Sequence, residues 1–306
     1  MELERMDGER KWLGPLAESI IQQQVGSVLD ELGLDLGGQA IPPILYEVTP
    51  LPMALIVSPR DSIRQEANIS LEPAMAIEQI IGLEDDVAAA LDVSTLVTAV
   101  GGIGAYPTMV ISTTDINFLV EVVAHEWTHN YLTLRPLGVN YDTTPELRTM
   151  NETTASIAGK EIGQAVIARY YPELAPPPPP LAPPDDVRSQ AHLAPVPFDF
   201  RAEMRITRLQ VDEYLAAGEI EAAEAYMESR REYFWENGYQ IRKLNQAYFA
   251  FHGAYADQPG GAAGEDPVGE AVRTLRGRSG SLAQFINRMS WLSSYDGLER
   301  VIAAGD

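Results

Sequence analysis

The chain has 306 residues, 45% of them hydrophobic, which is ample apolar material for one or two packed cores. Its formal net charge is -22, from 44 acidic against 22 basic residues, and a surface of that sign repels phosphate backbones, so nonspecific nucleic-acid binding is excluded. Cysteine is absent, which removes both disulfides and thiolate chemistry.

In chain order, a polar and charged N-terminus carries no apolar signal segment behind it. Residues 11–36 place apolar side chains at helical spacing and stop at Gly37-Gly38. Residues 44–57 are rich in Ile, Leu and Val and read as extended, broken at Pro50 and Pro52; residues 63–71 alternate like a strand. A helix is expected over 73–91, then strand (95–100), glycine turn (101–104) and strand (106–112), with a further helix over 115–135. Pro107 suits the 106–112 strand to a sheet edge, where free backbone groups could take up an extended peptide and Gly101, Gly102 and Gly104 would permit close approach. Thr144 as cap and Pro145 in the first turn start another helix, running to about Tyr170. The prolines of 175–184 make a stiff connector. Helices are then expected over 198–218, 219–237, 239–256, 266–277 and 282–294. No apolar run reaches the eighteen or so residues of a membrane span. The chain is therefore expected to be soluble, cytoplasmic as written, and extracytoplasmic or membrane-anchored where an anchor precedes it.

The chemistry concentrates in His125-Glu126-Trp127-Thr128-His129, an H-E-x-x-H pentapeptide within the 115–135 helix. Residues four apart share a helix face, so both imidazoles can converge on one zinc ion while Glu126 lies beside the activated water as general base. Only four histidines occur in the chain, and at these frequencies the pattern arises by chance in roughly one such sequence in two hundred. Two unrelated histidines on a surface helix would favour charged neighbours, whereas this helix is almost wholly apolar outside the motif.

A catalytic zinc needs a third protein ligand and one open position. Asp142, Glu146, Glu152 and Glu161 are the nearby carboxylates. Glu152 heads a stripe of small residues, Ser156, Gly159 and Gly163 with Ala155 alongside, which lets two helices approach closely. Glu161 falls about half a turn out of phase, and Glu146 sits where a carboxylate simply complements the helix dipole.

H-E-x-x-H followed by a glutamate in an N-E-x-x-A context resembles the gluzincin group of zinc metallopeptidases. Residues 101–170, under a third of the chain, are also similar to uncharacterised bacterial proteins described as predicted metallopeptidases. The resemblance implies His125, His129 and Glu152 as ligands of one Zn2+, Glu126 as base, and a peptide or protein substrate. It departs at Ser156, where some gluzincins carry an aspartate that orients a ligand histidine. The expected fold is α+β and zincin-like. A helical segment (1–39) precedes the metal-binding subdomain (40–174), the proline connector (175–197) and an all-α subdomain (198–306) that closes over the cleft.

Peptide hydrolysis also needs a donor for the developing oxyanion. On the 239–256 helix, Tyr248, His252 and Tyr255 share a face, and His252 and Tyr255 are the candidates; a core stripe of aromatics would look the same. His192, in the connector, is expected in solvent. Two alternatives to a zinc peptidase stay open: a noncatalytic zinc scaffold with a peptide-binding cleft, and a zinc hydrolase of a nonpeptide amide or ester.

Overall fold

A computed structural model describes residues 2–35, 37–100, 102–103, 105–175, 198–252 and 267–304. The class is α+β. Two three-stranded sheets are formed by β1 (Tyr46–Val48), β2 (Met53–Pro59), β3 (Ala67–Leu71), β4 (Val93–Ala99), β5 (Gly102–Ile103) and β6 (Thr108–Val110). The larger, ordered β3-β2-β4, is antiparallel throughout. β2 owes its unbroken apolar run to burial on both faces. Leu55 and Val57 pack with Ile80 of α2 (Ile77–Leu91), whereas Ala54 and Ile56 meet a helical layer on the other side. Glu84 of α2, buried, accepts from Val97 N at 2.5 Å and pairs with Arg242 and Lys243, which ties this sheet to the chain beyond residue 239.

The smaller sheet has the order β1-β6-β5, with β6 parallel to β1 and antiparallel to β5. Here the expectation of an edge strand at 106–112 is corrected. β6 is the central strand, and β1 and β5 are the edges. Pro107 lies just outside the ladder, whose first donor is Thr108 N to Leu45 O at 2.8 Å, so the missing N–H breaks no rung.

Three long helices form the second core: α1 (Glu2–Glu31), α3 (Ile116–Leu132) and α5 (Pro145–Tyr170), with the short α4 (Pro136–Val139) between the last two. α3 starts at Asp115, whose carboxylate accepts from Asn117 N and Phe118 N at 2.9 and 3.2 Å. α5 starts where expected, with Thr144 accepting from Leu147 N and Pro145 in the first turn. Trp127, fully packed on α3, donates its indole N–H to Pro42 O at 2.8 Å and so fastens the helix to the chain leading into β1.

The helices after residue 198 divide between two cores instead of building one all-α body. α6 (Phe200–Ala216), α7 (Ile220–Glu236) and α8 (Gln246–His252) cover β2 and β4. α9 (Pro267–Arg278), α10 (Leu282–Ser290) and α11 (Tyr295–Ala304) join α1, α3 and α5. A helix beginning at 239 is also corrected: residues 239–245 are irregular and the helix begins at Gln246. Asn245 is the reason. Its Oδ1 accepts from Tyr248 N at 2.9 Å and its Nδ2 donates to Thr95 O at 2.8 Å, so it starts the helix and pins that start to β4. No helix among the described residues is long and apolar enough to cross a membrane.

Candidate metal centre

α3 and α5 approach so closely because α5 has no side chain where they cross. A Cβ added at Gly159 would lie 2.8 Å from Glu121 O and 2.9 Å from His125 Cβ; one at Gly163 would lie 3.1 Å from Glu121 Cα. The small stripe read from the sequence therefore does bring Glu152 to the face that carries the two histidines. His125 Nε2 and His129 Nε2 are 3.0 Å apart, and Glu152 Oε2 is 3.6 and 3.4 Å from them. All three side chains are largely buried, at 6%, 17% and 2% exposure. Among the described residues they form the cluster of metal-ligating type.

The arrangement fits a small divalent ion. Tetrahedral ligands at the 2.0–2.1 Å typical of zinc lie about 3.3 Å from one another, inside the spread observed here. The contacts of Glu152 Oε2 are too long for good hydrogen bonds, and this buried oxygen has no other donor, a costly arrangement that a cation between the three groups would relieve. The group can thus hold a metal ion.

Two neighbours set the orientation of the ligands, and neither was picked out from the sequence. Asn151 Oδ1 lies 2.8 Å from His129 Nδ1, and its Nδ2 donates to Leu137 O at 3.3 Å, which fixes which way the amide points. His129 therefore donates from Nδ1 to Asn151 and turns Nε2 toward the metal position, where a bound ion would take the place of a second proton. Burial opposes charge on this imidazole, but Glu152 and the other neighbours outweigh it and raise its pKa to about 9. Tyr141 donates its hydroxyl to Glu152 Oε1, leaving Oε2 turned toward the histidines, and its ring meets His129 edge-on at 6.1 Å. Burial and the charge of Glu152 hold this phenol above its ordinary range, so it stays a donor. Ser156 Oγ, at the position where an aspartate would orient a histidine, is buried with no hydrogen bond in the structure; Asn151 does that work from the other side of Glu152. Asn151→Ala is expected to lower metal affinity roughly 10–100-fold with the fold retained, read by competition titration against a chromogenic chelator.

Glu126, the expected base, is buried beside the cluster. Burial raises its carboxyl above the usual range, the two histidines counteract this, and Glu152 adds to it. A Cβ at Gly102 would lie 2.7 Å from Glu126 Oε1, so the edge strand β5 passes directly over the base and any larger residue there would have to displace that carboxylate. Gly101 and Gly104 lie outside the described residues.

These groups open into a cavity of about 980 Å³ between the two sheets, α3 and α5. His252 lines it from the end of α8, its ring 4.3 Å from that of Tyr248, and burial pushes its pKa down to about 4, leaving it neutral near pH 7. Tyr248 packs in the core beneath, while Tyr255 and His192 lie outside the described residues. Of the other carboxylates, Glu161 is paired with Arg276 at 2.8 Å on the far side of α5, Glu146 is exposed in the first turn, and Asp142 lies at the cavity rim, exposed. No family model, curated protein or solved structure matches the chain, so the functional reading rests on this geometry.

Proposed function

We propose that the chain is a zinc-dependent peptidase of zincin-like architecture, as its resemblance to gluzincins implies, with His125, His129 and Glu152 as metal ligands. The observation that carries this reading is the convergence of the three ligand atoms within 3.6 Å, with the buried carboxylate of Glu126 beside them at the head of an open cleft. Zinc, when bound there, supplies a Lewis acid that polarises a carbonyl and acidifies water. Glu126 accepts the proton of the attacking water and delivers it to the departing amine nitrogen. Its raised pKa suits the first of these transfers, because burial makes the carboxylate a stronger proton acceptor than an ordinary one.

The substrate main chain adds to the free edge of β5, where Gly102 and Ile103 border the cavity. The edge-strand role read for 106–112 thus passes to its neighbour in the sheet. Neutral His252, which lines the cavity, is the donor candidate for the developing oxyanion. Tyr141 lies nearer the ligands, but its one hydroxyl proton is given to Glu152.

Metal analysis together with cleavage of a mixed peptide library tests the proposal. About one equivalent of zinc, with library cleavage abolished by a chelator and restored by zinc, is the expected result. A protein that takes up no metal sinks it. A metal-loaded protein that spares every peptide but hydrolyses small esters or nonpeptide amides would transfer the same chemistry to another substrate class.

A further inference from the structure

A carboxylate ligand has two oxygens, and a catalytic metal site needs one position left open for water. Glu152 would close that position by ligating through both. Three residues bear on which oxygen it offers: Tyr141 from the loop before α5, Arg148 one helical turn before Glu152, and Gln65 just ahead of β3. All four side chains line the cleft.

Tyr141 reaches between Arg148 and Glu152, which share a face of α5 at i and i+4. Its hydroxyl donates to Glu152 Oε1, and its ring stands edge-on to His129. The guanidinium carbon of Arg148 lies 5.5 Å from the centroid of the same ring, and the guanidinium donates to the phenol oxygen. Arg148 Nη2 also donates to Gln65 Oε1 at 3.1 Å, which ties the cation to the β3 wall of the cleft. The direction of the hydroxyl proton then follows from the donors available. A guanidinium has donors and no acceptor, whereas a phenol has one proton and can also accept. With Arg148 donating to its oxygen, Tyr141 cannot turn its proton that way, and Glu152 Oε1 receives it. A hydroxyl that accepts from a cation is also the stronger donor, since hydrogen bonds in such a chain polarise one another.

We propose that Arg148, held by Gln65, is a positioning residue that acts through Tyr141 to keep Glu152 Oε1 off the metal, so that this ligand offers Oε2 alone and one metal position stays open. The chain from Gln65 through Arg148 and Tyr141 to Glu152 thereby links the far wall of the cleft to the metal centre. The inference rests on the metal-binding part of the reading above and is independent of the substrate.

Zinc affinity, measured by competition with a chromogenic chelator, and the visible spectrum of cobalt(II)-loaded protein, whose bands weaken as coordination number rises, supply the test. Tyr141→Phe is expected to lower zinc affinity roughly tenfold to a hundredfold and to weaken the cobalt bands as Glu152 turns both oxygens to the ion. Arg148→Met should lower affinity roughly twofold to tenfold, the scale of one hydrogen bond, and move the cobalt bands in the same direction. In the Tyr141→Phe background the same replacement should cost nothing further, because the two residues act in series. Arg148→Lys, which keeps a donor for the phenol oxygen, should restore part of the affinity and of the spectrum, and it carries the same coupling test if Arg148→Met folds poorly. Additive losses at the two positions, or cobalt bands unmoved by either variant, overturn the inference and leave the metal centre in place. A wild-type protein that binds neither ion overturns both.

Discussion

Replacing Glu126 with Gln is expected to leave metal binding intact and to cut peptide hydrolysis roughly a hundredfold to ten-thousandfold, the usual contribution of a positioned general base. Glutamine has nearly the same shape, and Glu126 is not among the three converging ligand groups, so the centre keeps its donors. What disappears is the ability to take a proton. The fold should not suffer. Burial disfavours the charged carboxylate, as its raised pKa records, so the neutral amide removes a cost and the melting temperature should hold or rise. Steady-state turnover, zinc stoichiometry and thermal melting of the same preparation decide the matter. Unchanged hydrolysis would refute the mechanism; simultaneous loss of metal would reassign Glu126 from base to ligand.

The second large effect belongs to a residue with no side chain. Gly159→Ala should destabilise the protein by about 1–3 kcal/mol, typical of overpacking in a close-packed interior, and weaken metal binding as well. The added methyl would meet Glu121 O at 2.8 Å, His125 Cβ at 2.9 Å and His125 Cα at 3.1 Å. None of these is the far end of a flexible side chain, so relief requires α3 and α5 to separate. That movement carries His125 away from Glu152, which couples packing to coordination. Gly82→Ala is the control. It lies exposed in the interior of α2, with nothing within 4 Å of its would-be Cβ, and should gain up to about 1 kcal/mol from helix propensity. Denaturant melts and zinc titrations of both variants supply the comparison. A Gly159→Ala protein with wild-type stability and metal affinity would show that the helix contact does not govern the site.

Legibility in the sequence followed the range of the interactions involved. His125 and His129 could be paired from their spacing because one helical turn is a local property, and Glu152 could be chosen because the small residues following it mark a helix face made for close approach. The caps Asp115 and Thr144 and the α+β class belong to the same category. Asn151 stood next to a chosen ligand, yet its role depends on Leu137 O and His129 Nδ1, which reach it from other elements. Tyr141 and Gln65 carry no periodic or spacing signal, since a loop tyrosine and a glutamine ahead of a strand acquire meaning from what faces them across the cleft. The helix expected from 239 begins at Gln246 because Asn245 found a partner in β4, and Pro107 precedes a central strand because the ladder starts one residue later. Covalent neighbours and helical turns thus specify which groups could ligate and catalyse. Distances among those groups, the orientation of each imidazole and the cation that faces the cleft are consequences of packing between segments far apart in the chain, where the free energy of burial and hydrogen bonding outweighs local preference.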